Sequence, residues 1–149
     1  KYWAHDEIRK VDVITGSFWI VRREALEKVG LLDEDFFIYG EDIDWCKRFH
    51  NAGWDVVFYP ESKAIHFGAA SAANAPTRFY IEMQKSDLHY WEKYHGRIGQ
   101  CSYAIIIFIR HLVRLVPLAL VYLASPSRRD FVSLRLKHCL ACIRWVLRI

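Results

Sequence analysis

Apolar and polar residues along the first part of the chain change in short blocks, which predicts a mixed α/β arrangement. The block from residue 11 to residue 21 is rich in β-branched and aromatic residues, and Gly16 and Ser17 interrupt it. Glycine inside a strand pattern often marks a bulge or the close approach of another group. Residues 22–29 predict one or two helical turns that end at Gly30.

A second helix is predicted at residues 41–51, because apolar residues recur on one face and Gly53 follows as a stop signal. Two short strands are predicted after it, at residues 55–59 and 64–67. The next residues, 68–76, are small and polar, which is typical of a mobile loop.

The back of the chain predicts helices. An amphipathic, aromatic helix is expected from residue 78 to residue 94 and should stop before Gly96. We therefore expect three parts, with residues 1–76 forming the first, residues 77–100 the aromatic helix and residues 101–149 a helical tail.

The tail resembles a membrane segment at first sight. Residues 101–124 are mostly apolar, but Arg110, His111 and Arg114 interrupt them. On a helix these three side chains fall within an arc of about 100°, given the ~100° step per residue. One cationic face opposite an apolar face predicts a helix that lies on a membrane surface. The alternative is a helical hairpin, completed by residues 130–149, that packs on the core of the protein itself.

Charge separates the same front and back of the chain. Residues 1–100 carry 13 Lys/Arg and 16 Asp/Glu, a net charge of −3, whereas residues 101–149 carry eight Lys/Arg and one Asp, a net charge of +7. The hydrophobic fraction of 53% excludes a disordered chain. A basic, apolar tail indicates a membrane surface with anionic lipids as a partner, and we expect no nucleic-acid partner.

The four cysteines lack the pattern of a disulfide framework. Three of them lie in the apolar tail, where a free thiol behaves as a small hydrophobe. Cys139 and Cys142 form a C-x-x-C, but no second cysteine pair supports zinc or redox chemistry. A reduced, cytosolic compartment is therefore expected.

Three carboxylates, Glu41, Asp42 and Asp44, crowd the start of the second predicted helix. The helix dipole alone favours acids there, by about 0.3–1 kcal/mol each, so a purely structural role is the simplest interpretation. Gly40 and the aromatic residues before it favour a working role, because loop-to-helix junctions commonly position reactive side chains. A carboxylate held between an apolar wall and a helix N-terminus suits a base that takes a proton from a hydroxyl.

His66 ends a predicted strand and leads into the loop of small residues. A lone histidine is more often a satisfied polar residue than a ligand. Its place at a strand end, with Gly68 two residues later, nevertheless makes His66 a candidate ligand for a divalent metal such as manganese.

Several motifs, in order along the chain, resemble the family 2 glycosyltransferases. Residues 15–37 are similar to the acceptor-side half of that family, and Glu41-Asp42-Ile43-Asp44 resembles its Glu-Asp-x-Asp signature. Gly53-Trp54 and the run from His66 to Gly68 continue the similarity. The resemblance is strongest to the bacterial rhamnosyltransferase-like branch, which also has a helix similar to residues 86–96.

The resemblance implies an α/β fold: the acceptor-side, C-terminal half of a GT-A (Rossmann-like) glycosyltransferase domain, followed by apolar, basic C-terminal helices. It implies an inverting transfer of a sugar, with rhamnose as a candidate, from a nucleotide-sugar to a lipid-linked or cell-surface glycan. Polysaccharide biosynthesis at the cytoplasmic face of the cell membrane would be the setting, with the tail as anchor.

The same resemblance assigns roles to single residues. Asp42 would be the general base that takes the proton of the acceptor hydroxyl. The other implied roles are Glu41 and Asp44 shaping the site around that base, Gly16, Ser17 and Trp19 lining the acceptor pocket, and His66 helping to hold magnesium or manganese.

One departure from the family concerns the donor. No nucleotide-binding strands and no Asp-x-Asp metal motif precede the Glu-Asp turn, and the spacing Asp42-x-Asp44 belongs to the other motif. The chain does not begin with Met and is expected to be part of a longer protein, active only as a whole. The alternatives are a non-catalytic, membrane-associated module that binds a glycan or a partner, and a metal-dependent hydrolase. The hydrolase lacks a second histidine at ligand spacing from His66.

Overall fold

The computed structural model describes residues 3–66 and 75–149. It is mostly helical with one small sheet, and the chain divides into two compact units, residues 1–70 and 71–149. The elements of the first unit are β1 (Arg9–Lys10), α1 (Arg23–Val29), α2 (Glu41–Asn51) and β2 (Val57–Phe58). The elements of the second unit are α3 (Pro76–Ala124), a short 3₁₀ turn (Pro126–Arg128) and α4 (Arg129–Val146).

The sheet of the first unit consists of β1 and β2, which pair antiparallel with Arg9 opposite Phe58. The backbone N–H of Val11 extends the pairing by donating to the carbonyl of Val56 at 2.9 Å. The predicted strand at residues 55–59 is thus confirmed in its centre, at β2.

The β-rich pattern of residues 11–21 does not become a strand, so that prediction was wrong. Beyond Val11 these residues form bends and turns. Their apolar side chains, such as Ile14 and Val21, pack against the core around α2 instead of lining a ladder. Residues 64–66 are likewise not in a strand, and Phe67, the last residue of that prediction, lies outside the described residues.

Both predicted helices of the first unit are confirmed, with the expected ends. α1 ends at Gly30, whose φ of 83° lies in the left-handed region that favours glycine. After α2 the N–H of Gly53 donates to the carbonyl of His50 at 3.0 Å, and the N–H of Trp54 donates to that of Phe49 at 2.9 Å. This pair of hydrogen bonds is the Schellman pattern of a helix C-terminus.

The core of the first unit lies between α1, α2 and the sheet. Trp45 of α2 is its centre, since the Trp45 ring contacts both Trp19, at 5.1 Å between centroids, and Phe49, at 5.0 Å. The buried residues of this core are Ala25, Trp45, Cys46, Phe49 and Val56. Burial of these side chains fixes α2 on the unit and therefore fixes the loop that precedes α2.

In the second unit, the predicted end of a helix before Gly96 is confirmed, and α3 reverses its direction there. Gly96 has φ 64° and ψ −165°, so α3 consists of two helical segments, residues 76–95 and 97–124. Residues late in the first segment contact residues early in the second, and earlier residues of the first contact later residues of the second. The two segments therefore run antiparallel. These contacts are the stacked rings of Trp91 and Tyr103, the Tyr103 hydroxyl on Asp87 at 2.9 Å, Arg110 on Gln84 at 2.5 Å, and the Tyr80 hydroxyl on His111 at 3.1 Å.

In the segment 97–124 Arg110 and Arg114 are exposed, whereas the third residue of the predicted cationic face, His111, is turned inward. His111 is fully buried, and its Nδ1–H donates to the carbonyl of Ile107 at 2.7 Å. Arg110 is held by the buried Gln84 of the other segment. α4 packs on α3, where the ring of His138 stacks on Tyr80 at 4.6 Å between centroids. A helical hairpin is therefore present within this unit.

Gly99 is buried just after the break at Gly96. A Cβ at this position would clash with the Cβ of His95 and would lie 3.0 Å from the carbonyl oxygen of Trp91. We expect Gly99→Ala to lower the free energy of unfolding by about 1–3 kcal/mol, because overpacked sites must shift their backbone. The exposed Cys101, two residues away, supplies the control, since Cys101→Ala should change the free energy of unfolding by less than about 0.5 kcal/mol. Urea unfolding followed by circular dichroism measures the difference. Equal midpoints for the two variants would contradict the expectation.

Candidate active site

The loop before α2 turns sharply at two successive residues with positive φ. Tyr39 has φ 62° and Gly40 has φ 90°. Such a conformation is routine for glycine and uncommon for tyrosine, so the turn is set by its surroundings and not by local preference. The carbonyl of Gly40 then accepts the N–H of Asp44 at 2.9 Å, the first hydrogen bond of α2. The turn places Glu41 and Asp42 at the N-terminus of the helix.

The Asp42 carboxylate connects this turn to the segment 11–21. Its Oδ1 accepts the N–H of Ile43 at 2.8 Å, and its Oδ2 accepts the N–H of Gly16 at 3.3 Å. The side chain is half-buried, so part of it stays accessible to a ligand. Two motifs 26 residues apart in the sequence therefore meet at one carboxylate.

Gly16 lies between that carboxylate and an indole ring. A Cβ at Gly16 would be 3.3 Å from two ring atoms of Trp19 and 3.8 Å from the Cβ of Asp42. A larger side chain would therefore push into the space between Trp19 and Asp42. Ser17 is exposed beside them, with its hydroxyl 3.4 Å from that of Thr15. The structure thus brings Gly16, Trp19 and Asp42 together, as one side of a concave site would need.

Glu41 contributes a second carboxylate at the same turn. The residue is half-buried, and its Oε2 is buried without a hydrogen-bond partner among the described residues. A buried carboxylate oxygen without a partner is unfavourable, commonly by about 1–3 kcal/mol. Glu41 Oε2 can therefore accept a hydrogen bond that no described residue donates.

Asp44 lies behind the turn and not on its accessible side. Its side chain is fully buried, and its Oδ2 accepts the Nε–H of Arg48 at 2.8 Å. Residues 42 and 44 differ by about 200° around a helix, which explains why neighbouring acids of one motif face opposite directions. The expected contact of Asp44 with an acceptor is therefore replaced by an internal ion pair.

Cys46 borders the site from inside the core but is not a nucleophile. Burial raises the pKa of its thiol, and the nearby Asp42 charge raises this pKa further. The thiol also lies 4.0 Å from the carbonyl of Ile14, which can accept its weak hydrogen bond. Cys46 therefore stays protonated at neutral pH, and the ionisable chemistry of the site rests on the carboxylates.

His66 is exposed at the end of the first described stretch, and Gly68 lies outside the described residues. Within the described part of the first unit, no two further acidic, histidine or cysteine side chains complete a three-ligand metal site with His66. The described residues of the first unit therefore supply at most one ligand of such a site, and the metal role of His66 stays a prediction.

Arg48 and Trp45 are functional candidates that the sequence analysis missed. Arg48 donates to the carbonyls of Val29 and Leu31, and Trp45 donates to the carbonyl of Gly30. The spacing of Asp44 and Arg48, four residues apart on a helix, was the available signal, since such pairs face each other. The carbonyl partners could not be read from the sequence.

Comparison with known proteins shows which family and which enzymes the chain is similar to. The profile of the family described as Glycosyl transferase family group 2 matches residues 3–149. The chain is 37% identical over 78 residues to the N-acetylglucosaminyl-diphospho-decaprenol L-rhamnosyltransferase of Mycobacterium tuberculosis, covering 52% of this chain and 25% of that protein. It is 40% identical over 57 residues to the rhamnosyltransferase WbbL of Escherichia coli, covering 38% and 22%.

A further similarity is to the dTDP-rhamnosyl transferase RfbF of Shigella flexneri, at 39% identity over 57 residues, covering 38% of this chain and 19% of that protein. The matched part thus spans about a quarter or less of each of these relatives. No solved structure matches the chain significantly.

Proposed function

The chain belongs to glycosyl transferase family group 2, in its rhamnosyltransferase-like branch, and we propose that it forms the acceptor side of an inverting sugar transfer. The observation that carries the proposal is the meeting of Asp42 with Gly16 beside the indole of Trp19. Those three residues give a half-buried base, a space without a side chain, and an aromatic surface.

In the proposed reaction, the acceptor hydroxyl donates a hydrogen bond to the Asp42 carboxylate. The hydroxyl oxygen attacks the anomeric carbon of the donor while Asp42 takes its proton, and the bond from that carbon to the nucleoside diphosphate breaks. The N–H groups of Ile43 and Gly16 hold the carboxylate by both oxygens before the substrate arrives. Because the base is already oriented, less of its freedom is lost in the transition state.

The neighbouring groups fit the acceptor sugar. Trp19 offers an apolar ring face on which the C–H side of a pyranose can pack, and Gly16 leaves the space between ring and base open. Glu41 Oε2, which lacks a partner among the described residues, would accept a second hydroxyl of the acceptor. Ser17 is exposed next to this space and could supply a further hydroxyl contact.

A divalent cation, magnesium or manganese, would neutralise the departing diphosphate in such a transfer. His66 would supply one ligand, and an imidazole ligand favours manganese over magnesium. The other ligands would come from beyond the described residues of the first unit. We propose on the same ground that transfer requires a nucleotide-binding part in a longer protein.

We also propose that the second unit holds the enzyme at the cytoplasmic face of the membrane. Among the described residues, one helix, Pro76–Ala124, is long and apolar enough to cross a membrane, and 11% of its most apolar window is buried. Between residues 105 and 123 its exposed side chains are mostly apolar, with Arg110 and Arg114 among them, so lipid would meet an apolar surface that carries two cations. The mycobacterial relative is named for a decaprenol-linked substrate, and a lipid-linked acceptor here would lie at the same surface.

The proposal is tested by a transfer assay with the longer protein that contains this chain. With a dTDP-rhamnose donor and a prenyl-diphosphate-linked N-acetylglucosamine acceptor, we expect labelled rhamnose to enter the lipid fraction. The 149-residue chain alone should transfer none. Transfer by the isolated chain, or none by the longer protein with any nucleotide-sugar, would contradict the proposal.

A further inference from the structure

We propose that Asp44 and Arg48 are positioning residues, which hold α2 at the angle that places Asp42 on the N–H of Gly16. The inference rests on the proposed role of Asp42 as the base. Neither residue touches the accessible side of the turn, so their effect on transfer would pass through Asp42.

The C-terminus of α1 is where α2 is held. A helix end leaves its last carbonyls without partners inside the helix. Here Arg48 donates through Nη1 to the carbonyl of Val29 at 3.0 Å and through Nη2 to that of Leu31 at 2.8 Å. Trp45 donates through Nε1 to the carbonyl of Gly30 at 2.9 Å. Three consecutive carbonyls are therefore bound by side chains of α2.

Asp44 fixes the orientation of the Arg48 fork. Its buried carboxylate accepts the Nε–H of Arg48 at 2.8 Å, which leaves the two terminal nitrogens for the carbonyls. A guanidinium has its donors in one rigid plane, so one bond on the Nε side sets the direction of the others. A lysine could keep the charge near the helix end but could not make the three bonds at once.

This arrangement acts on the same helical turn that carries the base. Asp44 and Asp42 both lie in the first turn of α2, whereas Gly16 belongs to a different segment. The distance between the Gly16 nitrogen and Asp42 Oδ2 is 3.3 Å, which is already near the long limit of a hydrogen bond. A rotation of α2 that moves Asp42 by a few tenths of an ångström would therefore break this bond.

Lys28 provides a matched control for a merely structural contact. It also joins α1 to α2, since its Nζ donates to the carbonyl of Ala52 at 2.8 Å. Ala52, however, is the C-cap of α2, at the opposite end of the helix from Asp42. Loss of this bond would loosen the pair of helices without turning the first turn of α2.

The first measurement is nuclear magnetic resonance of the chain, because it needs no activity. The amide proton of Gly16 should give a downfield signal, because a proton hydrogen-bonded to a carboxylate is deshielded, and Asp42→Asn should abolish that downfield signal. We expect Arg48→Lys and Asp44→Asn to abolish it as well, with Lys28→Met leaving it intact. A downfield Gly16 signal in folded Arg48→Lys would overturn the positioning role, as would its loss in Lys28→Met.

The second measurement is steady-state transfer by the longer protein, at a temperature where circular dichroism shows each variant folded. Arg48→Lys should lower kcat at least tenfold with the donor KM within twofold, and Lys28→Met should stay within twofold in both. Unchanged kcat in folded Arg48→Lys would overturn the inference. If instead Asp42→Asn kept its turnover while Arg48→Lys lost the Gly16 signal, the base assignment would fail and the geometric role of Arg48 would stand.

Discussion

Replacement of Ile109, Leu112 and Val116 by serine is expected to release the chain from lipid vesicles, with its partition coefficient falling by about 10²–10³-fold. Each of these apolar side chains would contribute about 1–1.5 kcal/mol when it enters the lipid interface, as part of the ~1.5–3 kcal/mol for full burial. Since 1.4 kcal/mol is a factor of about ten, three losses give the expected range.

The structural reason is an exposed apolar stripe on the second unit. Ile109, Leu112 and Val116 are 52%, 50% and 65% exposed, and they continue a stripe that includes Ile105 and Leu120. The buried positions of the same helix include a histidine, His111, in place of a larger apolar core. A contiguous apolar surface of this kind marks an interaction site, and its basic surroundings favour anionic lipid.

The measurement is flotation of the chain with vesicles of zwitterionic lipid, with and without an anionic lipid. Ile65→Ser is the matched control, because Ile65 is 88% exposed but belongs to the first unit. Far-ultraviolet circular dichroism should be the same for all variants, since the replaced side chains are exposed. Undiminished flotation of the triple variant would contradict the membrane role of this face.

The helices were the part of the fold that the sequence predicted best. α2 has the predicted bounds of residues 41–51, and Gly30, Gly53 and Gly96 end or break helices where expected. These signals are local, because a glycine with positive φ acts within one turn of the helix. Local signals do not depend on which distant segments meet.

The segment 11–21 and the tail show where local signals fail. The β-branched residues of the segment 11–21 predicted a strand. A strand also needs a second strand to hydrogen-bond with, and among the described residues the only paired strands are β1 and β2. In the tail the cationic arc was visible in the sequence, but Tyr80, whose hydroxyl contacts the buried His111, lies in the segment 76–95. Both outcomes depend on tertiary contacts that a helical pattern does not contain.

The candidate site was predictable in its composition but not in its orientation. The sequence named Gly16, Trp19 and Asp42, and the structure brings them together. It placed Asp44 in the acceptor site beside Asp42, although the two side chains leave the helix about 200° apart. Helical geometry alone would have separated them. The bonds from Arg48 to the carbonyls of Val29 and Leu31 at the end of α1 depend on tertiary contacts that the sequence does not show.

Asp42→Asn is expected to lower the transfer rate of the longer protein by about 10²–10⁴-fold, the usual contribution of a general base. Asparagine has nearly the same shape, but its amide cannot take a proton from the acceptor hydroxyl. It also has one acceptor oxygen where the aspartate has two, so the bonds to Ile43 and Gly16 cannot both persist. The donor site should not be affected, because the proposed nucleotide contacts do not involve this turn.

Asp55→Asn is the matched control for this substitution. Asp55 is an exposed acid of the same unit, and its surface ion pair with Lys10 has 2.7 Å between Nζ and Oδ2. Surface pairs of this kind contribute about 0–1 kcal/mol, so neither folding nor transfer should change by more than a small factor. A comparable loss of transfer in both variants would indicate a general effect of charge and not a base.

The role of Asp42 as the base is tested most directly by measuring donor binding and sugar transfer on the same preparations of wild type, Asp42→Asn and Asp55→Asn. Calorimetry with the nucleotide-sugar gives the dissociation constant, and single-turnover transfer to a lipid-linked acceptor gives the rate of the chemical step. We expect equal donor affinity in all three proteins and a rate at least 100-fold lower in Asp42→Asn alone. A chemical step in folded Asp42→Asn within a few-fold of wild type would contradict that role.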